Sequence, residues 1–189
     1  TLIGPILTSI LFLVVISLAI GDERSYVLGV PYIEFLANGL IMMQVIQQSF
    51  SHSSSSLMMS KMMGTIVDIV NSPLSAAEVT ISLVLASITR GLCIASISTF
   101  IFVFFLDLNV QNYFLWFLYL FLAGFFLGSA GIIAGLYADK FDQMATVTNF
   151  VIVPLSFLSG TFYSIEKLPN LLKSLSYYNP FFHMIDGFR

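Results

Sequence analysis

YFLWFLYLFLAGFFLGSAGIIAGLYA, residues 113–138, carries no charged side chain from end to end. A helix rises about 1.5 Å per residue, so about 20 apolar residues cross the roughly 30 Å hydrocarbon layer of a bilayer. In hydrocarbon a chain must pair its own backbone groups, which a lone strand cannot do. The stretch is therefore read as a membrane-spanning helix. Four others follow the same rule. Residues 2–20 are uncharged, and 33–50 carries Glu34 at its edge with Gln44, Gln47 and Gln48 toward its end. Residues 79–106 contain Arg90, and 144–163 is uncharged with Pro154 inside it. The predicted fold is all-α, a polytopic transmembrane helical bundle of five spans forming one domain over residues 1–189.

Composition points the same way. The chain is 58% hydrophobic and 9% charged, with a mean hydropathy of +0.95. Soluble domains carry about 25% charged residues, so this chain has too little polar surface to cover itself in water. A net charge of −3 leaves no basic footprint for nucleic acid. The lone Cys93 sits in an apolar run and reads as a small core residue. The run 2–20 is long for a signal peptide and lacks a basic start, so it reads as a true span. The sequence begins at Thr1 rather than Met and stops at Arg189 at the edge of an apolar stretch, and a fragment cut at both ends is expected.

The connections differ in character. Residues 21–32 read as a short polar loop with Asp22, Glu23, Arg24 and Pro31, and 138–143 (ADKFDQ) as a tight charged turn. Residues 51–78 are the longest piece left outside the spans, opening with the serine tract SHSSSS. Further on, Ile66, Ile69 and Val70 recur at helical spacing with Asp68 between them, which predicts a short amphipathic helix at the membrane surface. Pro73 ends it, and Ser75 with Glu78 has the S-x-x-E form of a capping box for the next helix. Residues 164–180 mix Glu166, Lys167, Pro169, Lys173 and Pro180 with apolar residues, as a re-entrant segment would.

No enzyme constellation is present. His52 and His183 lie far apart without a metal-binding spacing, no G-x-S-x-G elbow occurs, and no phosphate-binding G-x-x-x-x-G-K-[ST] loop occurs. Nucleotide chemistry would have to come from another polypeptide, and no cofactor is expected in this one. Gly124 with Gly128, and Gly131 with Gly135, set small residues four apart on one helix face, where another helix packs closely. That helix could belong to the same subunit or to a second copy. Arg90 is the one strong charge well inside a span, a candidate intramembrane polar site that costs at least roughly 2.5 kcal/mol unless paired or hydrated. Glu34 is a potential partner. A structural tether and a substrate contact are both open. Pro154 removes a mid-helix hydrogen bond, and a kink is expected there. The aromatic residues Phe102, Phe104, Phe105, Phe114, Trp116 and Phe117 suit lipid-facing anchors. Charge bias leaves orientation open: Lys61 and Lys140 fall on one side, Arg24, Lys167 and Lys173 on the other.

Four stretches, in order, resemble the type-2 ABC transporter (ABC-2) permeases, small bacterial inner-membrane exporter subunits. GLIMMQVIQQSF (39–50) resembles the family's second span and GTIVDIVNSPLSAAEV (64–79) its coupling segment. FLSGTFYSIEKLP (157–169) resembles the fifth span with its extracellular hairpin, and YNPFFHMIDGFR (178–189) the approach to a sixth span. The resemblance implies a multi-pass inner (plasma) membrane protein with a cytoplasmic N-terminus, and a pair of permease copies around a central path. It also implies a partner ATPase that binds ATP and magnesium. It places residues 64–78 on the cytoplasmic face as a coupling helix, with Thr65, Ile66, Asp68, Ile69, Ser72, Pro73 and Leu74 seated in a groove of that ATPase. The re-entrant residues 164–180 would cap the outer mouth, and the cargo would be of the multidrug or polysaccharide kind. Two rival readings stand beside this one: an ion-gradient-driven carrier using Arg90, and a membrane-embedded assembly factor acting on lipids through Gln44, Gln47 and Gln48.

Overall fold

The computed structural model describes residues 3–20, 26–27, 29–106, 112–165 and 169–189. The described elements are α1 (Ile3–Ile20), the two-residue strands β1 (Tyr26–Val27) and β2 (Val30–Pro31), α2 (Tyr32–Met62), α3 (Ile66–Asn71), α4 (Ala76–Leu106) and α5 (Tyr113–Tyr137). Then come α6 (Phe141–Val147), a π-helical turn (Thr148–Ile152), α7 (Val153–Phe157), α8 (Asn170–Tyr178) and α9 (Pro180–Phe188). Among the described residues the regular structure is helical apart from the β1–β2 ladder, where Tyr26 pairs with Pro31 and Val27 with Val30. That ladder lies within the expected polar loop, whose three charged residues, Asp22, Glu23 and Arg24, fall outside the described residues. Glu166, Lys167 and Leu168 of the expected re-entrant segment also fall outside them.

Helices α4 and α5 are long and apolar enough to cross a membrane. Their outward aromatic residues show why water is the wrong solvent: Phe100, Phe104, Phe105, Tyr113 and Phe114 are between 72% and 78% exposed. In lipid, that exposure costs nothing. Asn112 starts α5 by accepting from the Phe114 and Leu115 amides at 3.0 and 3.4 Å.

The core is a three-helix unit with α2 at its centre. Phe35, Leu36, Ile41, Met42, Ile46 and Met58 of α2 are all essentially inaccessible. Its neighbours run in alternating directions. Gly91 of α4 meets Val45, while Ser49 donates to the Ser87 carbonyl at 3.5 Å, so α4 is antiparallel to α2. Gly131 of α5 abuts Phe50 and Gly135 abuts Ser54 and Leu57, so α5 is parallel to α2. On α1, the Pro5 carbonyl and the Ser9 hydroxyl bond to the Gln44 amide, which gives that buried amide partners.

Three expected boundaries move. The helix expected over 33–50 runs on to Met62 and takes in the serine tract expected in the connection after it. Serine is helix-compatible here because its hydroxyl can donate to a carbonyl one turn back, without water. Ser54 does this to Phe50 at 2.8 Å, Ser53 to Ser49 at 3.1 Å and Ser60 to Ser56 at 3.0 Å. The segment 64–78 is helical only over Ile66–Asn71; Ser72 turns extended before Pro73, and α4 has begun by Ala76. The stretch 144–163 is broken rather than continuous. Pro154 has no amide to donate, and the turn before it widens into the π-helix, where the Val153 amide donates to the Thr148 carbonyl. Helix ends at Phe157, and Gly160 takes a φ of +75° in the bend that follows.

The capping box at the start of α4 forms. The Ser75 amide and hydroxyl donate to Glu78 Oε2 at 2.7 and 2.8 Å, and the Glu78 amide donates back to Ser75 Oγ at 3.3 Å. These bonds hold the Glu78 carboxyl below its ordinary range, the backbone donor contributing most. A depressed folded-state value stabilises above the unfolded value, and that stabilisation is lost as pH falls through the folded one. We expect amide exchange at Ser75 and in the first turn of α4 to speed up, beyond its intrinsic pH trend, only below the ordinary carboxylate range. In Glu78→Gln that added pH dependence should disappear.

Candidate functional site

At the end of the bundle where α2 stops, Gly64 takes a φ of +76° and turns the chain into α3. No residue of α3 is buried. Ile66 packs at the edge of a small cluster that Leu57 of α2, Val84 and Ile88 of α4 and Ile132 of α5 build together, so α3 rests on a knot that ties those helices. The other side of the helix is bare, with Val67 and Val70 57% and 75% exposed; Leu74, past the helix end, is 55% exposed, and Met62 and Met63, before it, are 61% and 66% exposed. Of the residues singled out for coupling, Thr65, Asp68, Pro73 and Leu74 are exposed, and Ile66, Ile69 and Ser72 are half-buried. Spacing alone grouped Ile66 and Ile69 with Val70. The structure divides them, two toward the bundle and Val70 with Val67 away from it.

The glycines of α5 meet this chain's own helices. An added Cβ at Gly124 would touch Ile88, and one at Gly128 would collide with Ser87, both on α4. At Gly131 and Gly135 it would meet the Phe50 and Ser54 carbonyl oxygens of α2 at 2.6 and 3.0 Å. Opposite Gly128, Gly131 and Gly135 sit the small serines Ser87, Ser53 and Ser54, so backbones approach to a distance larger side chains forbid. Lys61 closes the same seam, donating to the carbonyls of Leu136 and, at 3.0 Å, Ala138 at the C-terminus of α5, where a cation is favoured.

Arg90 does not pair with Glu34. Its Nη1 lies 3.3 Å from His52 Nδ1 and its Nη2 donates to Gln48 Oε1 at 3.5 Å, both on α2. Glu34 instead lines a space of about 250 Å³ with Asn38, Asp186 and Arg189 at the opposite end of α2.

At that opposite end a cluster forms that residue chemistry alone did not single out. Arg189 Nη2 donates to the Gly160 and Thr161 carbonyls at 3.0 Å each, and its guanidinium stacks on Phe35 at 3.5 Å. Gly39 makes room for it, since a Cβ there would stand 2.7 Å from Nη2 and 2.8 Å from the Thr161 oxygen. Asn179 accepts from the Phe181 amide at 3.0 Å, capping α9, and donates to the Leu155 carbonyl at 2.7 Å. Ser176 donates to Leu158 at 3.0 Å. The separated FLSG, NP and terminal Arg signatures therefore meet in space. Beside them lies a cavity of about 440 Å³, lined by Tyr163, Tyr177, His183, Asp186 and Arg189 among others. Asn179→Ala removes a cap and strands a buried carbonyl, and should cost about 1–3 kcal/mol in thermal unfolding. Asn179→Asp, which keeps only the acceptor, should recover the cap but not the bond to Leu155.

An all-α bundle with two helices long and apolar enough to cross a membrane, and an exposed apolar helix at one end, is consistent with a membrane-embedded subunit. The ABC-2 type transporter family matches residues 1–189. The inner membrane transport permease YadH of Escherichia coli K12 and its Shigella flexneri counterpart are each 32% identical over 189 residues, 100% of this chain and 74% of theirs. No solved structure matches. The chain belongs to the ABC-2 type transporter family: it is an inner-membrane permease subunit of an ABC transporter.

Proposed function

We propose that this permease is the translocating half of an ATP-driven exporter and takes its work from a separate ATPase, which binds ATP and magnesium, through α3. The observation that carries the reading is the bare face of Val67 and Val70, with Asp68 beside it and exposed Leu74 just past the helix end, on a helix that Ile66 anchors to an apolar cluster shared by α2, α4 and α5. An apolar ridge with one charge suits a groove in a partner protein. The five spans are α1, α2, α4, α5 and the broken α6–π–α7 unit. The α3 end is cytoplasmic, and residues 164–180 with the Arg189 cluster cap the outer mouth. Two copies form the path. When ATP draws the paired ATPases together, α3 moves with its groove, and Ile66 passes that motion to helices locked by glycine–serine packing as a rigid-body tilt. The cargo class is a drug or a polysaccharide precursor. Expression of the complete permease with the ATPase encoded beside it tests this. Co-purification of the two at defined stoichiometry is expected. A permease that transports without any ATPase would overturn the reading in favour of a gradient-driven carrier.

A further inference from the structure

Arg90 has no counter-charge among the described residues. Among the described residues no carboxylate lies within ion-pair distance of it, its two neighbours are the neutral Gln48 and His52, and its Nε is buried with no partner. The depth of this group follows from the packing. Ser53, next to His52, lies against Gly131, and Gly131 stands six residues before Tyr137, about 9 Å from the end of α5 at 1.5 Å per residue. The guanidinium thus sits inside the apolar slab, on the α3 side of its middle. Its environment supplies donors and no anion. The Gln48 carbonyl and His52 Nδ1 are taken up by Arg90, which leaves the Gln48 NH₂ and the His52 Nε2–H to donate elsewhere. Arg90, Gln48 and His52 are each only half-buried, so a ligand can reach them.

We propose that Arg90, Gln48 and His52 form a binding site for a lipid-borne phosphate in the leaflet on the α3 side. A planar guanidinium with flanking neutral donors suits a phosphate ester, whose oxygens accept several hydrogen bonds and whose charge offsets that of the arginine. The phosphate could sit on a resident anionic phospholipid or on transported lipid-linked cargo. The inference rests on α4 being a span.

Cys93, exposed and one helical turn beyond Arg90, supplies the probe. The complete permease with its ATPase, carrying a fluorophore on Cys93 as the sole labelled thiol, is placed in vesicles containing brominated phosphatidylglycerol or brominated phosphatidylcholine at equal mole fraction. Quenching should favour the anionic lipid by about tenfold in apparent affinity, as expected for a charge-assisted bond. Arg90→Gln should erase the preference while leaving general quenching, and Arg90→Lys should keep most of it. Equal quenching by both lipids in the unsubstituted protein, which needs no variant to fold, overturns the site while leaving the span intact. So does a preference that survives Arg90→Gln. Quenching by neither lipid overturns the span and the site with it. Adding a non-hydrolysable ATP analogue separates the sources. Loss of the preference on ATP-state closure assigns the phosphate to cargo, and its persistence assigns it to a resident lipid; either supports the site.

Discussion

Gly131→Leu is expected to abolish the folded permease. At this position even a methyl group would stand 2.6 Å from the Phe50 carbonyl oxygen and collide with the Ser53 hydroxyl. The first of these is backbone in the middle of α2 and cannot rotate aside. Overpacking of a close-packed interface costs about 1–3 kcal/mol, and more where backbone must move. Leucine adds three further carbons to the clash, so α2 and α5 must separate along the seam that also holds Gly135 against Ser54. Loss of the monodisperse species in detergent, or a fall in Tm of more than about 10 °C, is the expected result. Gly4→Ala is the matching control, because nothing lies within 4 Å of a Cβ there. A Gly131→Leu protein with unchanged Tm would mean that α2 and α5 do not touch at this level.

The second large effect is on coupling rather than folding. Val67→Glu with Val70→Glu places two carboxylates on the bare side of α3, next to Asp68. Both positions are well exposed, so the bundle should keep its Tm within about 2 °C. Two buried charges in a partner's groove should each cost at least about 2 kcal/mol of association, enough together to weaken ATPase binding by roughly a thousandfold. ATP-dependent transport should vanish with the permease still present in the membrane. Ile66→Glu should differ in kind, lowering Tm as well, because Ile66 packs against the apolar cluster of Leu57, Val84, Ile88 and Ile132 and its replacement would set a carboxylate at the edge of that cluster. Equal behaviour of the two would remove the distinction between the docking side and the anchoring side.

Much of the architecture was legible because its signals are local. An uncharged run such as 113–138 declares its helix through composition alone, and S-x-x-E at Ser75 and Glu78 declares a cap through hydrogen bonds that close within one turn. The serine tract was misread for the opposite reason. Whether SHSSSS is a loop or a helix face depends on the glycines of a helix some eighty residues later in the chain, and no local pattern carries that information. The same limit applies to Arg90, whose neighbours on α2 fall at a helical spacing the loop reading had hidden, since His52 follows Gln48 by one turn. At the other end, FLSG, NP and Arg189 stood out as family signatures but not as one physical unit. Only packing brings Asn179 to the Leu155 carbonyl and Arg189 to Gly160, with Gly39 leaving the space. On α3, helical spacing picks out Ile66, Ile69 and Val70 as apolar, but which of them faces the bundle is set by packing at the cluster around Leu57, which the sequence does not display.

Disulfide or short-linker cross-linking from position 68 tests the central claim most directly. In a Cys93→Ala background, Asp68→Cys in the complete permease is paired with single cysteines along the groove of the ATPase, in inverted membrane vesicles and in intact cells. The account predicts a cross-link in high yield whose partner position shifts when ATP binds, with the thiol closed to impermeant reagents added outside the cell. Labelling of that thiol from outside, with no cross-link to the ATPase in either preparation, would contradict it.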